Sequence, residues 1–205
     1  MPTTTTFTAS MNELANRSVT PYLACHDAAV CSNVDNSPYE IRIGQLPGYR
    51  VERGAYVFDT SYLSGLGGIK ILSARLKVYK ELGPYNMTGE YIVVVDGSAI
   101  EDTPVAADFG DLLTATTELG SVLATEVATG AYTDIELNAA GLALISKTGN
   151  TKFGLRSTKD INSTMPTSTQ IIYFWGYGAG GAKYTKLEVT WVALAAARWN
   201  FATWG

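Results

Sequence analysis

From Ile69 to Lys80 the chain alternates: Leu72, Ala74, Leu76 and Val78 fall on one side, and Ser73, Arg75 and Lys77 on the other. Successive side chains of a strand point to opposite faces, so a period of two predicts a strand with one face in a core and the other in water. The pattern returns from Tyr184 to Val192, where Leu187, Val189 and Trp191 oppose Lys186, Glu188 and Thr190. Strands of this kind belong to antiparallel sheets. Tyr49 to Asp59, Glu90 to Asp96, Thr133 to Leu137, Lys152 to Ser157 and Thr169 to Tyr177 are further candidates, rich in Val, Ile, Tyr and Phe and separated by Gly, Asn, Asp and Ser groups. Seven or more short strands at this spacing predict an all-β antiparallel sandwich.

One short helix is expected. Asn138 can cap a turn carrying Ala139, Ala140, Leu142, Ala143, Leu144 and Ile145, with Lys147 near its negative end and Gly149 to stop it. Its apolar spacing is that of packing, placed to cover one opening of the sandwich. Residues 1–38 differ from the rest by a Thr run, scattered apolar positions and the loop-like cluster Asn33 to Pro38, and read as an extended N-terminal arm. The organisation expected is therefore an arm at 1–38, a sandwich at 39–192 and an aromatic C-terminal tail at 193–205.

A chain of 205 residues, 46% hydrophobic and 17% charged, has the material for one packed domain and too few charges for disorder or a coiled coil. The net charge of -4 leaves no cationic footprint for phosphates, so nucleic acid is not an expected partner. No apolar run reaches the ~18 residues of a membrane helix, and Arg198 and Asn200 interrupt the stretch from Trp191 to Trp204. Met1-Pro2-Thr3-Thr4-Thr5-Thr6 lacks the pattern of a secretory signal, which places assembly in a host cytoplasm as an expectation.

Groups that could carry chemistry are few. His26 is the single histidine, which disfavours a multi-histidine metal site and a Ser-His-Asp relay. Cys25, His26 and Cys31 offer three soft ligands without an evident fourth, so no metal or cofactor is expected; the two cysteines read as small buried hydrophobes, thiols being favoured over a disulfide. Gly176, Gly178 and Gly181 spell a dinucleotide-binding motif, but the alternation that follows is that of a strand, whereas the pyrophosphate needs a helix N-terminus. They read as a hairpin loop. Asp96, Glu101, Asp102, Asp108 and Asp111 fit no EF-hand spacing and read as solvated loop acids, with calcium or a glycosidase pair as the sharper alternatives.

Two features exceed this background. Tyr173, Phe174, Trp175, Tyr177 and Tyr184 surround the glycine loop, and alternate strand residues point opposite ways, so some rings must leave the core. Tyr173, Trp175, Tyr177 and Tyr184 are thus candidates for stacking on a glycan or packing on a partner. Trp199, Phe201 and Trp204 each carry ~150–250 Å² of surface that is costly to leave in water, so this tail is expected to dock, on another subunit or on its own sandwich.

Arg53-Gly54-Ala55-Tyr56-Val57-Phe58-Asp59-Thr60-Ser61, Ile71 to Tyr79, Tyr132 to Asn138, Thr151 to Ser157 and Lys186 to Trp191 together resemble the DNRLRE-like modules, jelly-roll β-sandwiches of microbial surface proteins and of structural proteins of tailed phages. The resemblance spans about residues 49–191 and rests on hydrophobic patterning as much as on identities. It implies a jelly-roll fold and a non-catalytic role, and it carries no catalytic residue. Joined to the arm and the tail, it leads to the expectation of a non-enzymatic virion structural protein that decorates the capsid of a tailed virus of bacteria or archaea. The partners expected are capsid or tail proteins and copies of itself, with Trp199, Phe201 and Trp204 in the assembly interface. The alternative is a carbohydrate-binding or receptor-binding module of a tail fibre or surface protein, which adds a surface glycan as partner.

Overall fold

The computed structural model describes residues 1–16, 21–35, 39–47, 50–176 and 183–194. Along the chain come β1 (Thr3–Asn16), α1 (Tyr22–His26), β2 (Asn33–Asp35), β3 (Glu40–Leu46), β4 (Arg50–Asp59), β5 (Ile69–Tyr85), β6 (Tyr91–Asp96), α2 (Asp108–Thr114), β7 (Gly120–Leu123), β8 (Tyr132–Glu136), α3 (Ala139–Ala143), β9 (Asn150–Ser157), α4 (Thr158–Ile161), β10 (Gln170–Trp175) and β11 (Lys186–Ala193). Each pairing between these strands is antiparallel among the described residues, and the fold is an all-β sandwich.

One sheet runs from residues 3–8 of β1 through β11 and the first part of β5 to β8. The other holds β2, the second half of β1 and β4. Beyond β4 it continues both as β9, β6 and β7 and as β3, β10 and the end of β5. Because β1 and β5 pass from one sheet to the other, the pairings β1–β11–β5–β10–β3–β4–β1 close a ring. Closure satisfies backbone groups that open edges would expose.

The main core fills the space between the sheets with Phe7, Ile41, Ile43, Tyr56, Phe58, Leu76, Val78, Ile92, Val94, Phe153, Leu155, Phe174, Leu187 and Val189. A second core lies on the other face of the β4–β9–β6 layer, where Leu14, Val51, Ala55, Val93 and Val95 meet Tyr22 and Cys25 of α1 and Phe109 and Leu112 of α2. Covered on both faces, Val51 to Phe58 is buried at every residue, and Ile92 to Val95 is an unbroken apolar run.

Several expectations are corrected. Thr3–Asn16, read as part of an arm, is a 14-residue strand of the sandwich. Its Phe7 and Ala9 point inward while Thr4, Thr6 and Thr8 are exposed, so alternate threonines of the run form the wet face of a strand and Thr5 lies on the Phe7 side, accepting from Trp191 Nε1 at 3.1 Å. Asn33–Asp35, read as loop, is β2, paired to β1. Glu40–Leu46 and Gly120–Leu123 add strands that the sequence pattern did not single out.

Leu72, assigned to the inner face, is 41% exposed. The register between β5 and β11 shifts between Thr190 and Trp191, so that Thr190 opposes Ser73 whereas Trp191 opposes Ile71. The residue between them is the bulge: an extra residue reverses the alternation upstream of it, and Ile71 packs on the core instead. The expected helix is present as α3, with the Asn138 side chain accepting from the Gly141 N–H at 3.0 Å. It is one of four short α-helices among the described residues, and its C-cap is Leu144, ahead of Gly149.

Candidate functional site

β10 sends Phe174 into the core and leaves Tyr173 and Trp175 on the outside, both half-buried. Each ring joins a cluster assembled from other strands. Tyr173 meets Tyr85 of β5 edge-on, centroids 5.9 Å apart, with the Arg42 guanidinium 5.6 Å from its centroid. Burial raises the Tyr173 hydroxyl pKa, against the pull of Arg42. Lys183 holds its ammonium 4.5 Å from the Trp175 centroid and 5.2 Å from that of Tyr79, between two rings. Tyr79 meets Tyr132 edge-on at 5.2 Å, and Lys186 sits 4.7 Å over Tyr132. Ammonium groups over ring faces are attracted by the ring quadrupole and hold their position.

Of the anticipated residues, Tyr173 and Trp175 thus lie on this surface. Tyr184 is half-buried and packs on the main core, its carbonyl accepting from the Tyr132 hydroxyl at 3.0 Å. Tyr177, Trp199, Phe201 and Trp204 lie outside the described residues. Tyr79, Tyr132, Lys183 and Lys186 were not singled out. Tyr79 continues the outward series Ser73, Arg75, Lys77, which is the signal that could have found it.

The acids and the histidine are placed elsewhere. A buried knot joins the helical layer to the sheet: Arg53 donates from Nε and Nη2 to both carboxylate oxygens of Asp160 at 2.9 and 2.8 Å, and Arg156 Nε reaches Asp160 Oδ2 at 2.6 Å. Arg53 also donates to the Phe109 carbonyl at 2.7 Å and to the His26 carbonyl at 3.1 Å. Arg156 donates to the carbonyls of Leu112, Leu113 and Ala115 at 2.9–3.0 Å. His26 Nε2 lies 2.6 Å from the Asp160 carbonyl oxygen and Nδ1 bonds Asp27. Burial alone would push the Asp160 carboxyl up, but Arg53, His26 and Arg156 hold it well below the usual range. Burial likewise disfavours charged His26, and its bonds to Asp160 and Asp27 outweigh that, raising its pKa. Guanidinium groups and carboxylate saturate one another, which is how buried charges are tolerated.

A second ionic cluster holds Glu13 and Glu52, both buried, with Arg42 and Arg50. The Arg42 backbone N–H donates to Glu13 Oε2 at 3.0 Å, and Arg50 pairs with Glu52. Burial and the neighbouring Glu13 push the Glu52 carboxyl up to about 7, against the pull of both arginines.

Of the five acids read as solvated loop acids, Asp96, Asp102 and Asp108 are locally engaged, and Asp108 is a correction, since it lies buried in α2. Asp108 is buried and accepts from the backbone N–H groups of Val105 and Glu101 at 2.7 and 3.2 Å. Asp102 pairs with Lys152 at 2.8 Å. Asp96 accepts from the Ser98 N–H at 2.8 Å, and with Asp111, Ser98 and Thr114 to Thr117 it lines an open cleft of about 400 Å³. Among the described residues no group of three or more His, Cys, Asp or Glu is placed to hold a metal. Cys25 and Cys31 are buried thiols. No family model matches the chain, and no curated protein matches it.

Proposed function

We propose that this chain is a non-enzymatic structural protein of a virus particle of bacteria or archaea, decorating its capsid after assembly in the host cytoplasm. What supports the reading is the use made of the interior. The strand ring is closed by the chain's own β1, and the buried charges Arg53, Arg156 and Asp160 are spent on tying a third layer of helices and loops to the sheet. A closed ring with its layers locked suits a part that must hold its shape on a particle. Fold by itself does not assign a role, and the resemblance to phage structural modules supplies the rest of the reading.

In this account the tail from residue 193, with Trp199, Phe201 and Trp204, supplies the apolar contact to capsid subunits or to further copies of the chain. Capture on particles tests it. Purified protein is expected to co-sediment with particles that lack it, and a version ending at Leu194 to remain folded and stay in the supernatant. Co-sedimentation of both, or of neither, overturns the assignment.

A further inference from the structure

We infer that the belt of Tyr79, Tyr132, Trp175, Lys183 and Lys186 is a binding site for an acidic polysaccharide. Unpaired positive charge sets this belt apart. On the same outer sheet face, Arg75 and Lys77 are neutralised: Arg75 contacts Asp134 at 2.9 Å and Glu188 at 2.7 Å, and Lys77 contacts Asp134 at 2.7 Å. Lys183 and Lys186 have no carboxylate within ion-pair distance among the described residues, and the stretches outside them contain neither Asp nor Glu. Glu81 is the acid whose charge Lys183 feels. Two ammonium groups held over rings, on a chain of net charge -4, are left to pair with anions from outside.

The surroundings select the anion's carrier. Thr8 stands opposite Lys186 across β1 and β11, exposed on the same face, and Thr6 stands opposite Glu188. Lys186 is in turn opposite Lys77, and Tyr79 is opposite Tyr132. The face therefore offers, in adjacent rows, hydroxyls, ammonium groups and ring edges. A sugar acid uses all three: its hydroxyls meet Thr6 and Thr8, its carboxylates the lysines, and its C–H faces the rings of Trp175 and Tyr79. An acidic peptide would use only the lysines. β11 also separates this belt, at Lys186, from the departure of the tail after Ala193 by about 24 Å of strand.

The test uses the full chain in biolayer interferometry against polygalacturonate, its fully methyl-esterified and hence neutral form, and poly-L-glutamate. Binding to polygalacturonate is expected, weakening with added salt. Lys183→Gln with Lys186→Gln should weaken it by about tenfold, the scale of two exposed ion pairs. Trp175→Ala should weaken it as well, and the lysine pair, lying on the surface, keeps the test decisive if the tryptophan variant does not fold. The neutral polymer and poly-L-glutamate should bind at least tenfold more weakly. No binding of polygalacturonate, binding indifferent to the lysine pair, or equal binding of poly-L-glutamate, which would point to an acidic protein partner, each overturns the site. The assay contains no particle, so its failure is separate from failure of the capsid assignment.

Discussion

Charged residues divide into those the fold consumes and those it leaves outside. Arg53, Arg156 and Asp160 are spaced 103 positions apart at the widest gap in sequence, from Arg53 to Arg156, and carry no motif. Arg156 and Asp160 are four positions apart, but only folding brings Arg53 to them, and no sequence pattern announces that contact. Glu52 sits in β4 where alternation alone gives it an inner position, yet its charge argues against burial. The conflict is settled by Arg50 and Arg42, and it has a consequence in pH. Ordinary Glu in the unfolded chain titrates near 4.3, below the value of about 7 in the fold. Between those values the native state binds the extra proton, so stability is highest at the acid end of the window and falls as pH rises through about 7. His26, also raised by its bonds to Asp160 and Asp27, works in the same direction. Urea denaturation of the native chain at pH 5 and pH 8 is expected to give lower stability at pH 8. In Glu52→Gln that difference should shrink, leaving the share due to His26, and a difference of unchanged size would contradict the assignment to Glu52.

At the scale of elements, the sequence was most readable where a strand is wet on one face. β5 and β11 declared themselves by alternation, and α3 by its Asn138 cap. β4, β6 and β9 were found through β-prone composition, because burial on both faces erased their period. β1 was hidden for the opposite reason: threonines fill both faces from Thr3 to Thr6, which resembles a linker, and its inward Phe7 and Ala9 are too sparse to mark a face. α1, α2 and α4, of four to seven residues, are too short to show a helical period. The aromatic site was half legible: β10 alternation placed Tyr173 and Trp175 outside, but partners from β5 and β8 come from register, which sequence does not give.

The bulge at Leu72 supplies the sharpest test at this scale. Simple alternation makes Leu72 and Leu76 equivalent, whereas the register leaves Leu72 in water and Leu76 fully buried. Leu72→Ala should therefore change unfolding free energy by no more than about 0.5 kcal/mol. Leu76→Ala should cost about 2–5 kcal/mol, as large-to-small changes in a core do. Equal losses in chemical denaturation would return Leu72 to the core and remove the bulge. Gly44 marks a second place where register dominates: at φ +136° an added Cβ would lie 2.0 Å from the Gln170 carbonyl oxygen, closing the approach of β3 to β10.

For the whole molecule, the ring through β1 and the knot under α4 make one block of two sheets and a covering layer, and the belt and the tail leave from opposite ends of β11. On the proposed reading the tail does the holding and the belt meets the surroundings. On the same reading the chain is a component of a particle. The most direct measurement is its absolute copy number in density-banded particles, by mass spectrometry with isotope-labelled peptides, from a culture encoding it. The expected result is a fixed, integral ratio to the major shell protein across independent preparations. A trace amount that varies between preparations, with the chain remaining in the soluble fraction, would contradict the claim.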